Sequence, residues 1–316
     1  MARADLMAAT ARHRAALATA ALLIFPLLMP FKAIAVNIVV EGLFAVGFNL
    51  LYGYLGLLSF GHAALLGGGA YACGIAIVRF GWPWWAALAA GTLGGMAIAA
   101  VIGALAIRTR GIYFAMVTLA LAECVYYLAY QASGVTGGEN GLRGIVLSKI
   151  DLFGLTLDFI DPLTRYFVIA AIVAAALAML SRILASPFGA VMEMVRENEA
   201  RARASGVDVR AVKVLSFVLS GAFSGLAGGL QALHLAIVPI ETLDYSNSGM
   251  VVMMCLLGGA GTFFGPFFGA LVFLLLQNLV ALVSPHWQLP VGLVFMACIL
   301  FFPRGLWGQV ARWRPA

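Results

Sequence analysis

The chain has 316 residues, 63% hydrophobic and only 10% charged, with a mean hydropathy of +1.02 and a formal net charge of +6. That composition excludes an ordinary soluble domain and marks an all-α, polytopic transmembrane helical bundle. With 36 glycines and continuous apolar runs, the sequence fits closely packed spanning helices and not a β-barrel, whose strands would alternate apolar and polar residues.

The basic N-terminus MARADLMAATARHR leads into an apolar run from Ala15 to Phe31. It resembles a signal peptide, but no clean small-residue cleavage site follows and another apolar segment begins almost at once, so it reads as a first spanning helix. Further runs cover 34–55, 60–78, 83–107, 111–131, 166–185 and 213–235. From Ser248 to Val283 the chain is apolar for longer than one helix needs. The glycines of GGAGTFFGP, Gly258 to Pro266, divide it into a segment of about a dozen residues and a full one. A last run, 289–303, makes about ten segments, or eight to nine if the short one is a re-entrant piece.

Ten segments put both termini on one side. Arg3, Arg12, Arg14, Arg108, Arg110, Arg182, Arg196, Arg201, Arg203, Arg210, Lys213, Arg304, Arg312 and Arg314 then fall on that side, against Lys32, Arg79, Arg143, Lys149 and Arg165 opposite. The excess makes the side of the termini cytoplasmic and accounts for the basic balance with no nucleic acid. The whole of 1–316 is expected to be a single transmembrane domain, with an external loop at 132–165 and a cytoplasmic loop at 186–212. Cys73, Cys124, Cys255 and Cys298 all lie in apolar runs with no metal-ligand spacing. There is no G-x-x-x-x-G-K-[ST], HExxH or CxxC, so neither ATP hydrolysis by this chain, nor a bound metal or cofactor, nor an intramembrane enzyme is expected.

The loop 186–212 is the polar exception. In SPFGAVMEMVRENEARARASG, Pro187 suits a helix start and Gly206 a stop, which predicts one short amphipathic helix. Val191, Met194, Val195, Asn198 and Ala202 share one face of it, and Glu193, Glu197 and Arg201 pair at i, i+4 on another. A solvated connector, or a helix lying among lipid headgroups, is the plain alternative. Its near balance of Glu and Arg suits a protein partner better.

This loop and the helix after it, through VKVLSFVLSGAFSGLAGGL, resemble the LivM-type permeases, the transmembrane subunits of branched-chain amino acid ABC importers. The likeness extends in order through GYLGLLSFGHAALLGGGAY, RTRGIYFAMVTLALAE, GVTGGENGL and LLGGAGTFFGPFFGA, with Leu57-Leu58 departing from the polar residue many relatives carry. It implies a multi-pass subunit of the bacterial inner membrane, embedded in lipid. Its implied partners are a second, LivH-like permease subunit, cytosolic ATPase subunits that bind the ATP, and an extracytoplasmic solute-binding protein. The implied substrate is a branched-chain or other hydrophobic amino acid, with urea, amides or small carboxylates as alternatives. By the same resemblance Arg196, Glu197, Asn198, Glu199, Ala200 and Gly206 fall in the ATPase-coupling motif, and Gly137, Gly138, Glu139 and Asn140 of the external loop are contact candidates beside an ordinary turn.

Glu41 and Glu123 lie inside spanning segments, where a carboxylate is costly. With Asn49 and His62 they are the translocation-path candidates, each set against plain hydrogen-bonded pairing within the bundle. Gly221, Gly225 and Gly229, and Gly261, Gly265 and Gly269, recur every four residues, as static packing faces or as sliding contacts. A proton-coupled secondary transporter of a small polar solute, using Glu41 or Glu123, is the competing function; it leaves the mixed-charge loop without a purpose.

Overall fold

A computed structural model of the chain describes residues 16–22, 25–26, 32–145, 149–152, 155–283, 286, 288–302 and 305–312. Residues 16–22 are helical (α1); the rest of the expected first span falls mostly outside the described residues. Six long helices follow: α2 (Lys32–Leu55), α3 (His62–Phe80), α4 (Trp84–Ala106), α5 (Ile112–Gln131), α7 (Pro162–Ala185) and α10 (Val209–Leu235). These, and the stretch Gln288–Gly308 containing α13 (Gln288–Phe301), are long and apolar enough to cross a membrane. The Ser248 to Val283 region divides as expected, into a short α11 (Tyr245–Gly258) and a longer α12 (Gly265–Val283).

Helix starts fall earlier than the apolar runs suggest because polar caps set them. Asp161 accepts from Thr164 N at 3.0 Å and starts α7 at Pro162. Asp208 accepts from Arg210 N at 3.0 Å and Ala211 N at 3.1 Å and starts α10 at Val209, which shortens the polar loop. The loop 132–165 is not featureless either. It holds a one-turn α6 (Ser133–Thr136), a 3-10 turn (Gly138–Asn140), β1 (Leu142–Arg143) and a hairpin of β2 (Lys149–Leu152) with β3 (Leu155–Asp158). β1 pairs antiparallel with β4 (Ile237–Val238), Leu142 opposite Val238. The all-α expectation therefore holds apart from two short strand pairs outside the helices. An amphipathic α14 (Gly305–Arg312) had no counterpart in the apolar pattern.

α2 is apolar on all sides and lies at the centre, with Ile38, Val39, Leu43, Phe48, Leu50 and Leu51 all fully buried. Beside it α3, α4 and α10 meet through glycines. A Cβ on Gly225 would sit 2.7 Å from Gly91 O and 2.8 Å from Gly95 Cα, and one on Gly69 would sit 2.4 Å from Gly225 Cα. Only hydrogen fits there, so the three backbones approach as closely as helices can.

Two stretches of backbone outside the α-helices enter the bundle. Residues 56–61 climb from the end of α2 to the start of α3, where Phe60 N donates to Thr118 Oγ1 at 3.1 Å. Thr118 lies roughly 9 Å into α5 at 1.5 Å per residue. The segment 236–244 descends along α3 from the other end. Val238 approaches Gly74, Leu243 fills the notch at Gly67, and Ser248 Oγ accepts from Ala63 N at 2.9 Å. Irregular backbone at such depth is tolerated where protein buries it or where it lines a wet cavity.

Candidate functional site

The polar loop forms two helices, not one: α8 (Pro187–Glu197) and α9 (Glu199–Ala204), broken at Asn198 with φ −159° and ψ 104°. The cause is Asn198 itself, whose Oδ1 accepts from Arg201 N at 3.0 Å and caps α9, a local bond that competes with continuing α8. Two expectations change with the break. Asn198 is exposed instead of sharing the buried face, which consists of Met192 and Val195 on α8 and Ala202 on α9. Glu197 and Arg201 no longer share a helix; Glu199 makes the ion pairs, with Arg203 at 3.4 Å and with Lys213. The end of α9 is as expected. Gly206, at φ +82°, donates to Arg203 O at 2.9 Å, and Val207 N to Ala202 O at 3.1 Å, the paired bonds of a glycine-terminated helix.

Arg196 turns back toward the bundle. Its Nη1 donates to the carbonyl oxygen of Gly53, in the last turn of α2. Helix carbonyls there have no intrahelical partner, and a cation is favoured by the helix dipole. The side chain passes between Gly56 (φ +83°) and Gly261 (φ +79°), where a Cβ would lie 3.2 Å from Arg196 Cγ and 3.0 Å from Arg196 Nη1. On the other side of the loop, Lys213 of α10 is buried and pairs with Glu199. Arg196 and Glu199 thus fix the two helices to α2 and α10, while Glu197, Asn198, Ala200 and Gly206 face outward. Between Asn198, Glu199, Ala200 and Arg203 on one wall and Leu57, Arg110 and Gly111 on the other lies an open cleft.

The intramembrane candidates separate into different environments. Asn49, 1% exposed, donates from Nδ2 to Thr262 O and accepts at Oδ1 from Gly261 N, both at 2.9 Å, so it holds the α11–α12 turn against α2. His62 is fully buried, 2.8 Å from Ser220 Oγ, with its ring edge-on to Phe48 at 4.8 Å. Ser220 in turn donates to Gly47 O at 2.6 Å. Both residues join helices across the bundle. Glu41 is half-buried, and Gln231 Nε2 approaches its Oε1 at 3.4 Å. Glu123 is half-exposed on α5, one of the less buried helices. In the loop 132–165 Gly137, Gly138 and Gly141 have positive φ, and a Cβ on Gly137 would lie 2.1 Å from Gly141 O. Those glycines are needed for the turn itself; Glu139 and Asn140 are exposed at its surface.

Sequence reasoning missed Gly53, Gly261 and Lys213 as anchors. Lys213 carried a signal: it is one of three lysines in the chain and opens an apolar helix, where a cation needs a partner. Gly53 acts through its carbonyl, which leaves no mark in the side-chain pattern.

A family model described as branched-chain amino acid transport system / permease component matches residues 31–302. The chain is 28% identical over 311 residues to the high-affinity branched-chain amino acid transport system permease protein LivM of Escherichia coli (strain K12), covering 90% of this chain and 73% of that one. It is equally similar, 28% over 313 residues with the same shares, to the protein of that name from Salmonella typhimurium. A shorter match, 28% over 202 residues (61% of this chain, 55% of the relative), is to the autoinducer 2 import system permease protein LsrC of Klebsiella pneumoniae.

Proposed function

The chain belongs to the branched-chain amino acid transport system permease family, and from that membership we propose that it is one transmembrane subunit of an ATP-driven importer in the bacterial inner membrane. It carries a branched-chain or other hydrophobic amino acid inward by alternating access. ATP is bound and hydrolysed on separate cytosolic subunits, a second permease completes the route, and an extracytoplasmic binding protein delivers the substrate. This chain holds no cofactor of its own.

The observation that carries the reading is the double anchoring of α8 and α9. A solvated connector has no reason to tie both helices to the bundle. Here Arg196 reaches the end of α2, Glu199 pairs with Lys213 at the base of α10, and the remaining polar face points outward. A partner that moves this loop moves α2 and α10 with it. By this reading Glu197, Asn198, Ala200 and Gly206 meet the ATPase, and Arg196 and Glu199 pass its motion inward.

Purification of the tagged chain from its native membrane tests this directly. Recovery of a P-loop ATPase and a second permease, together with ATP-dependent leucine uptake after reconstitution, is the expected result. A stable chain that never brings an ATPase and transports on a proton gradient alone would transfer the role to Glu41 or Glu123.

A further inference from the structure

The descending segment 236–244 carries two acids to a depth where acids are costly. Glu241 lies in a 3-10 turn (Ile240–Leu243), and Asp244 caps α11 by accepting from Ser246 N at 2.8 Å. Among the described residues neither acid is in an ion pair: the two ion pairs there both belong to the polar loop at the other end of the bundle. Glu241 is exposed and Asp244 half-buried, so their carboxylates open onto space outside the packed core.

Aromatic groups surround them. Tyr71 of α3 is 5% exposed, and its hydroxyl is buried with no hydrogen-bond partner. On α3 Tyr71 stands between Gly67 and Gly74, four and three residues away on the same face, where Leu243 and Val238 pack, and α5, which carries Tyr126, packs on the Ile240–Leu243 turn as well. Tyr126 stacks on Tyr130 with centroids 6.4 Å apart and meets Tyr127 edge-on at 5.5 Å. Glu123 is one turn along α5 from Tyr126 and Tyr127.

We propose that Glu241, Asp244, Tyr71 and Tyr126 form a binding site for an alkylammonium group, the amino group of the transported amino acid, on the outer half of its route. A primary ammonium offers three N–H donors and a full charge. The two carboxylates and the idle Tyr71 oxygen accept those donors, and the tyrosine rings present negative faces to the cation. Among the described residues there is no group of three or more metal-ligating side chains, which favours an organic cation over a metal ion. The site explains why irregular backbone is brought this deep: only there do Glu241 and Asp244 reach the level of Tyr71.

The inference rests on the permease reading, and one experiment separates the two. The complete importer is reconstituted with its partners and its binding protein, and uptake of radiolabelled leucine, isoleucine and valine is measured beside ATP hydrolysis and the amount of assembled complex. The variants are Glu241→Gln combined with Asp244→Asn, which keeps volume and the helix cap but removes both charges, and Tyr71→Phe. Uptake is expected to fall about tenfold in the double variant, with assembly and ATP hydrolysis within about twofold of wild type, and less in Tyr71→Phe. Glu241→Asp with Asp244 intact restores most of it. Undiminished uptake in the double variant overturns the site and leaves the permease reading standing. Equal loss of assembly or of ATP hydrolysis overturns it too, by showing a structural role. A wild-type complex that moves none of the three amino acids overturns both.

Discussion

Arg196 donates a hydrogen bond from its guanidinium to the carbonyl oxygen of Gly53, joining the polar loop to the last turn of the central helix. The contact ties α8 of the polar loop to α2. Close by, Asn49 clamps the α11–α12 turn through Gly261 N and Thr262 O, so loop, α2 and turn form one connected unit.

Replacing Arg196 therefore disconnects the loop without unfolding the bundle. Arg196→Ala should reach the membrane in near wild-type amount while uptake and substrate-stimulated ATP hydrolysis drop about tenfold, the scale of one charge-assisted hydrogen bond. Arg196→Glu should be worse, because it sets an anion against the negative end of α2. Normal uptake by both variants, at equal membrane abundance, would remove Arg196 from the coupling path.

The pair Lys213 and Glu199 is asymmetric, and this predicts an order of stability. The Lys213 side chain is 7% exposed and that of Glu199 35%, and Glu199 has a second partner in Arg203. Glu199→Gln strands a buried cation, at a cost of about 1–3 kcal/mol. Lys213→Met leaves a carboxylate that keeps Arg203 and some water, and should cost less. Cys73 and Cys255 are free and buried while Cys124 is exposed, so the further rise in reaction with a thiol-reactive dye on heating reports unfolding of the purified protein. Melting of Lys213→Met below Glu199→Gln would contradict the assignment.

Asn198 decides whether the loop is bent or straight. Asn198→Ala removes the cap from α9, worth about 1 kcal/mol, and allows α8 to run on. The altered loop should present Glu197 and Ala200 in different directions and bind an ATPase partner more weakly in co-purification. Asn198→Asp keeps the cap and should restore binding; failure of Asp to rescue would mean that the amide itself is recognised.

What the sequence showed and hid follows from the kind of signal each feature leaves. Apolar length marked the spans, because a membrane forces it, and the glycine turn at Gly258 to Pro266 separated α11 from α12 as expected. Polar caps at Asp161 and Asp208 moved two helix starts outside the apolar runs, and Asn198 broke a helix that periodicity drew as continuous. The loop was legible as special from its charges, but Arg196, by spacing an outward residue, points inward to a backbone carbonyl. Glu41 and Glu123 drew notice because they interrupt long apolar runs. Glu241 and Asp244 did not, because a short polar gap between two segments looks the same whether it lies outside the membrane or descends into the bundle.

The glycine contact of α3, α4 and α10 gives the sharpest test of the packing. At Gly225 an added Cβ meets Gly91 O at 2.7 Å and Gly95 Cα at 2.8 Å. Both are backbone atoms that yield only if whole helices separate, so Gly225→Ala should destabilise by about 1–3 kcal/mol despite the better helix propensity of alanine. Gly249 of α11 has nothing within 4 Å of the same added carbon and ordinary helical backbone, so Gly249→Ala should leave melting unchanged or raise it slightly. The comparison cancels propensity, since both changes are Gly→Ala within a helix. If the two variants melt alike, the close approach of α4 and α10 is not what holds these helices together.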